Sequence, residues 1–382
     1  GQIDTDNNGV SGIEKSFDYE LTTSNKPLKL SLDTEIQYLI REELLKFQEI
    51  FNSYGSTAIL MNVNSGEILS MVSLPDFDLN KREDISDRKF INRSTKGVYE
   101  LGSVFKTFTL AAGLQQNVIQ EDTLFKNLPK KIKCAGRSIS EYDMDIPSSL
   151  TAEEILIRSG NIGSIKIAQK VGLENFKDFL ENLDLLNKIQ FDIEEVGNPI
   201  PFKWGKCKLA TSAYGHGITT TPLQLAKAYA IIANGGYKIK PTLIKKEKNF
   251  KKGEQIITQE NSNKINEILR KIVTSEQGTA NLANIAGYEI AGKTGTAQKS
   301  IKGKYSKKKI NTFASIFPIT SPKYVLIVLL DEPKLSETYI YEYNDGKKRK
   351  IIGTPFNTAG WTSVEVAKNI IEKIGPILAI KY

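Results

Sequence analysis

Apolar positions change their spacing several times along this chain, and each change marks an element. From Asp33 onward Ile36, Leu39, Ile40, Leu44 and Phe47 recur three and four residues apart. That period predicts an amphipathic helix, with Thr34 and Gln37 placed as its capping box. The spacing then becomes strand-like: Ala58–Val63 and Glu67–Val72 flank Asn64-Ser65-Gly66, a hairpin whose second strand is broken by Pro75. Residues 75–98 carry Asp76, Asp78, Asn80, Asp84, Asp87 and Asn92 among few apolar positions and read as a loop. Helical spacing returns at Phe108–Leu114, at Ile155–Ile157 behind the capping box Thr151–Glu154, and at Ile162–Val171. It returns again through Ala226, Tyr229, Ala230 and Ile232, behind Thr221-Pro222-Leu223-Gln224. Residues 115–150 are irregular, polar and basic. After a helix over Lys264–Val273, strand character takes over from Ile285. Tyr288–Ala291 and Thr312–Phe317 are followed by the continuously apolar Tyr324–Leu330, which reads as a central strand covered on both faces. Val364–Ile374 is an amphipathic helix. Strands at both ends with helices between them predict an α+β domain. It is one antiparallel sheet flanked by helices, with an all-helical lobe inserted between the first hairpin and the strand near residue 293.

Length and charge refine this picture. At 382 residues the chain exceeds what one core comfortably fills, so a large domain (31–382) with a smaller appendage (1–30) is expected. The first 30 residues, rich in Asp, Asn, Gly and Ser, read as an irregular arm. The 52 Lys and Arg against 44 Asp and Glu leave a surplus of eight, gathered at Lys130-Lys131, Lys245–Lys252, Lys299–Lys309 and Lys347–Lys350. The only aromatics within these runs are Phe250 and Tyr305, so the runs read as solvated loops and not as a nucleic-acid surface. An anionic cell-wall polymer would also suit such a face. The two cysteines, Cys134 and Cys207, are too few for a disulfide framework or a metal site, and the sequence leaves open whether they pair. No apolar run reaches the ~18 residues of a membrane span.

The candidate chemistry begins at Tyr99-Glu100-Leu101-Gly102-Ser103-Val104-Phe105-Lys106. A serine on the first turn of a helix has the lysine three residues on stacked near its hydroxyl, so an amine can take a proton from a nucleophile. The helix N-terminus adds unpaired N–H groups and positive potential. Alone, Ser-x-x-Lys is common by chance. Its weight comes from Ser159-Gly160-Asn161, in a turn between two helical segments, and from Lys293-Thr294-Gly295-Thr296, after a strand-like run.

This ordered set, S-x-x-K, S-x-N and K-T-G, is shared by penicillin-binding proteins and class A β-lactamases. Further stretches match as well: Gly12-Ile13-Glu14, Leu30-Ser31-Leu32-Asp33, Gly66-Glu67-Ile68-Leu69, Tyr214-Gly215-His216-Gly217, Thr221–Ala226 and Leu330-Asp331-Glu332-Pro333. Together they resemble the transpeptidase domain of a class B penicillin-binding protein, most similar to the septal, FtsI-type enzyme, over nearly the whole chain. Leu101 stands where most relatives carry Pro, and Gly160 where many carry Ser; neither departure removes a reactive group.

The resemblance implies a serine-type D-alanyl-D-alanine transpeptidase that cross-links peptidoglycan stem peptides at the division septum and is acylated by β-lactams. Ser103 would be the nucleophile, Lys106 its base, Ser159 a proton relay and Asn161 the holder of the substrate amide. Lys293, Thr294, Gly295 and Thr296 would face the stem carboxylate, with the N–H groups of Ser103 and Thr296 as the oxyanion hole. No metal and no cofactor is called for. Residues 1–30 would be the remnant of a non-catalytic pedestal. Gly1 would then be a cut end, and a membrane helix upstream would hold the domain on the periplasmic face of the inner membrane, beside a septal glycosyltransferase and other divisome partners.

Other readings compete. Gly287-Tyr288-Glu289-Ile290-Ala291-Gly292-Lys293-Thr294 fits the G-x-x-x-x-G-K-[ST] phosphate loop, but the strand-like residues lie between its glycines and no helical spacing follows. His216, the sole histidine, between two glycines, reads as structural rather than as part of a triad. An elongation-type paralogue shares every motif. A β-lactam sensor would be acylated without turnover, yet sensors lack the Gly12-Ile13-Glu14 arm.

Overall fold

The computed structural model describes residues 1–78, 87–134, 136–246, 252–301, 303–344 and 348–382. Asn80 and Asp84 of the expected loop, the middle of the 245–252 lysine run and Lys347 lie outside the described residues.

Helix α1 (Thr34–Ile50) leads into strands β1 (Gly55–Asn62) and β2 (Ile68–Leu74). The turn Gly102–Phe105 opens helix α2 (Lys106–Gln115), and a small hairpin of β3 (Lys131–Cys134) and β4 (Arg137–Ser140) follows. Helices α3 (Ala152–Ile157), α4 (Asn161–Val171), α5 (Pro222–Ala233) and α6 (Gln259–Thr274) come next. Strands β5 (Ala291–Ile301), β6 (Lys304–Phe317) and β7 (Tyr324–Asp331) and helix α7 (Ser363–Lys381) follow. The five long strands form one antiparallel sheet in the order β2-β1-β7-β6-β5. β7 is central and all eight of its residues are buried, which is why its sequence shows no alternation. Helices α1 and α7 cover one face of the sheet, and α5, buried at nearly every position, covers the other.

The α+β architecture matches the expectation, with local corrections. The N-cap of α1 is Asp33 and not Thr34: its carboxylate accepts from the backbone N–H groups of Glu35 and Ile36. Gln37 is drawn away to Ser70 and Met71, pinning α1 to β2. The capping boxes at Thr151–Glu154 and Thr221–Gln224 are both present. The inserted lobe is not all-helical, because residues 115–150 contain the β3–β4 hairpin and a strand, Leu124–Phe125, paired with Leu150–Thr151. Strands this short show too few alternations to stand out. Helix α7 runs past Pro376 because Ile370, Ile371, Ile374 and Leu378 continue one buried stripe across it, and that burial outweighs the lost backbone hydrogen bond. The arm before Asp33 is less irregular than expected, with short helices at Gly12–Ser16 and Asp18–Thr23.

Candidate active site

The site is built where the Gly102–Phe105 turn packs against β5, the edge strand of the sheet. Two glycines permit the approach. Gly102 has φ +62°, and a Cβ there would lie 2.9 Å from the Thr296 carbonyl. A Cβ on Gly295 would stand 2.2 Å from the Leu101 carbonyl. The turn is fixed from below by α5, whose Tyr229 hydroxyl donates to the Val104 carbonyl at 3.0 Å. Ser103 is half-buried on this 3₁₀ turn, and helix α2 begins at Lys106, three residues later than the Ser-x-x-Lys reading expected.

The amine of Lys106, however, does not bond to Ser103. It donates to the carbonyl of Ser159 and, at 3.2 Å, to the Ser159 hydroxyl. The Lys293 amine reaches the same hydroxyl at 2.9 Å. One serine oxygen thus links two lysines that are 1% and 0% exposed. Burial pushes the Lys106 ammonium down to about 7, with Glu141 opposing the shift. Burial, reinforced by repulsion from Lys106, also holds Lys293 well below the ordinary lysine range. An uncharged amine is therefore available near neutral pH, which is what a lysine base requires.

Ser159 holds this position at φ +56°, between α3 and α4, where a non-glycine residue costs roughly 1–2 kcal/mol. The strain has a testable signature. Ser159→Gly should be more stable than Ser159→Ala by about 1 kcal/mol in denaturant melts, the reverse of their usual order in helices. Both variants should acylate more slowly with a penicillin, by roughly 10²-fold or more. Equal stabilities would mean that the residue is not strained.

Asn161 is the first residue of α4, and its Nδ2 donates to the Ser140 carbonyl at 2.9 Å, which fixes the rotation of its side-chain amide. On the opposite wall Lys293, Thr294, Gly295 and Thr296 lie within β5 and not after a strand, which corrects their expected placement. The Thr294 hydroxyl shares a 2.7 Å hydrogen bond with Thr279, and the Thr296 hydroxyl accepts from the Ala359 N–H at 3.0 Å. Because the Gly-Lys-Thr run continues as a strand, the phosphate-loop arrangement of strand, loop and helix is absent there.

His216 stands apart from the lysine–serine cluster. Its ring packs between Tyr214 and Tyr305, and its Nδ1 is 3.7 Å from the Glu100 carboxylate. Glu100 also accepts from the Gly217 N–H and the Tyr305 hydroxyl, so this group ties the loop at 214–217 to β6. Sequence reasoning missed three participants: Glu141, Thr279 and the Ala359 N–H. None lies in a motif, and no local signal marks them. It also left open the pairing of Cys134 with Cys207, which form a disulfide joining the β3–β4 hairpin to the helix Lys206–Ser212. The lysines at 299–309 are partly neutralised: Lys299 pairs with Asp331 and Glu332, and Lys308 with Glu332.

The fold and these motifs have a counterpart among known proteins. The family model for the penicillin binding protein transpeptidase domain matches residues 56–357, and the chain belongs to that family. Among individual relatives, the probable peptidoglycan D,D-transpeptidase FtsI of Caulobacter vibrioides is 31% identical over the whole chain. The peptidoglycan D,D-transpeptidase FtsI of Escherichia coli K12 is 29% identical over 89% of it. The chain spans 64% and 62% of the lengths of these two proteins. The transpeptidase domain of Burkholderia pseudomallei penicillin-binding protein 3 superposes with a TM-score of 0.78 at 25% identity, covering 92% of this chain and 97% of that one.

Proposed function

We propose that this chain is the catalytic domain of a septal peptidoglycan D,D-transpeptidase. The observation that carries the reading is the Ser159 hydroxyl held between the buried amines of Lys106, one turn along from Ser103, and of Lys293 on the edge strand β5. The Ser103 hydroxyl attacks the penultimate D-alanyl carbonyl of a donor stem, and its proton passes to the neutral Lys106 amine. The N–H groups of Ser103 and Thr296 stabilise the oxyanion. Ser159 relays the proton to the leaving D-alanine nitrogen, giving a Ser103 ester. The amine of an acceptor stem then displaces the serine, and the proton returns by the same path. Asn161 accepts from the substrate amide, and Lys293, Thr294 and Thr296 face its terminal carboxylate across Gly295. A β-lactam enters the same cycle as a strained amide.

The septal assignment rests on similarity, along the whole of this chain, to part of a protein named FtsI, and with it come a septal glycosyltransferase and divisome proteins as partners. A periplasmic location at the inner membrane fits the Cys134–Cys207 disulfide, which belongs to an oxidising compartment. Residues 1–30 are assigned to the end of the pedestal; Gly12 N–H donates to Glu195 and Lys15 pairs with Glu194, so this arm is tied to the main domain. Depleting the full-length protein in its source cells should produce filaments with unfinished septa. Rounded cells would instead assign it to elongation.

The fate of the acyl-enzyme tests the reaction class. Hydrolysis needs a second base holding water, which class A lactamases supply from a Glu in an E-x-x-L-N element. Here the Leu-Asn pair downstream of Asn161 is Leu186-Asn187, and the position three before Leu186 is Leu183. The carboxylate bonded to the S-x-N turn, Glu141, has both oxygens engaged by backbone N–H groups. The penicilloyl ester should persist for many minutes by intact mass and map to the Ser103 peptide. Sustained turnover of ~1 per second or faster, ordinary for an enzyme, would make the protein a lactamase.

A further inference from the structure

Helix α4 begins without a conventional cap, since its N-cap residue is Gly160. Its first N–H groups are satisfied from elsewhere. Glu141, directly after β4 and only 7% exposed, accepts from the Asn161 N–H at 2.6 Å through one carboxylate oxygen and from the Ile162 N–H at 2.8 Å through the other. A carboxylate at a helix N-terminus is favoured by both the free N–H groups and the helix dipole. The preceding residue contributes too, because the Ser140 carbonyl receives the Asn161 side-chain amide. Two consecutive residues of the hairpin therefore fix the Asn161 backbone and the rotation of its side chain. The hairpin is itself secured. Glu141 N–H donates to the Lys130 carbonyl at 3.0 Å, and Cys134 is bonded to Cys207.

Glu141 also bears on the two amines. Glu141 from the hairpin favours the charged form of Lys106, and Lys106 in turn disfavours charge on Lys293 from β5. Removing the carboxylate would leave two buried lysines facing each other without it.

We propose that Glu141 is a positioning residue for acyl transfer: its carboxylate, clamped by the first two N–H groups of α4, sets Asn161 for the substrate amide and supplies negative charge to the buried Lys106. This rests on the transpeptidase reading above. The two roles separate by substitution. Glu141→Gln keeps the shape and one accepting oxygen but removes the charge, whereas Glu141→Asp keeps the charge and shortens the reach.

The test is the second-order rate constant for acylation by a penicillin from pH 5 to 10, with thermal melts of each protein. For Glu141→Gln the rising limb of the profile should move to lower pH by about 1 unit, the size expected for losing one nearby charge. For Glu141→Asp the limb should stay in place while the plateau falls by about 10-fold. A folded Glu141→Gln protein with an unmoved limb overturns the proposal, even if its melting temperature drops, because a purely structural residue would give that result. Should Glu141→Gln fail to fold, the Asp variant decides: a wild-type plateau overturns the proposal and a lowered plateau with a fixed limb supports it. A wild-type protein that is not acylated at Ser103 would instead overturn the transpeptidase reading itself.

Discussion

Ser103→Ala should gain no drug mass after prolonged incubation with a penicillin, while the wild-type protein gains one. The loss of acylation should reach ~10⁶-fold, the scale seen when a serine nucleophile is removed from a hydrolase. The size follows from what the site can replace. A missing base leaves water or a neighbouring amine to accept the proton, but a missing nucleophile leaves no oxygen on the turn to form the ester. Ser159 is no substitute, because its hydroxyl is held between the amines of Lys106 and Lys293 on a different segment. The fold should be unaffected, since Ser103 is half-buried in a short turn and its side chain caps no helix. Reversible drug binding should survive too, because Lys293, Thr294 and Thr296 stay on β5. One drug mass on Ser103→Ala would mean that the nucleophile lies elsewhere.

What was legible in the sequence divides by the range over which each interaction acts. The capping boxes at Thr151 and Thr221 were readable because cap and partner lie three residues apart. The central strand was readable because burial on both faces imposes an apolar residue at every position of β7 from Tyr324 to Leu330. The motif serines and lysines were readable as a set, since their order along the chain is itself a pattern. Their partners were not. The Ser-x-x-Lys spacing suggested an amine beside the Ser103 hydroxyl, yet Lys106 bonds to Ser159, 53 residues away, because the packing of α2 against α4 decides which oxygen it meets. Glu141 and Thr279 were invisible for the same reason: each touches a motif residue only after the hairpin or the 275–280 loop has docked. Asp33 displaced Thr34 as a cap by one residue, an error of local register that two neighbouring acceptors always invite.

Lys106→Ala should fold and yet acylate ~10²–10⁴-fold more slowly at neutral pH, the range usual for a lost general base. Alanine suits the first turn of α2, and the substitution removes an ammonium that burial disfavours, so the cavity it leaves is partly offset. The pH dependence identifies the residue more sharply than the rate does. In the wild type, acylation should rise as pH increases through about 7, where the Lys106 amine loses its proton, and flatten above it. The variant should lack that limb. Stability carries the matching sign. The folded-state pKa lies below the unfolded value of 10.5, so between about 7 and 10.5 the unfolded chain holds a proton that the folded one does not. Stability must therefore rise with pH across that window. The wild type should gain stability relative to Lys106→Ala from about pH 7 to 10.5, and the difference should be constant below it. Lys293 contributes with the same sign, but it is present in both proteins and cancels to first order. Urea melts at pH 6 and pH 9 on both proteins measure the effect. A folded Lys106→Ala protein that acylates at the wild-type rate would place the base elsewhere, with His216, beside Glu100, the next residue to replace.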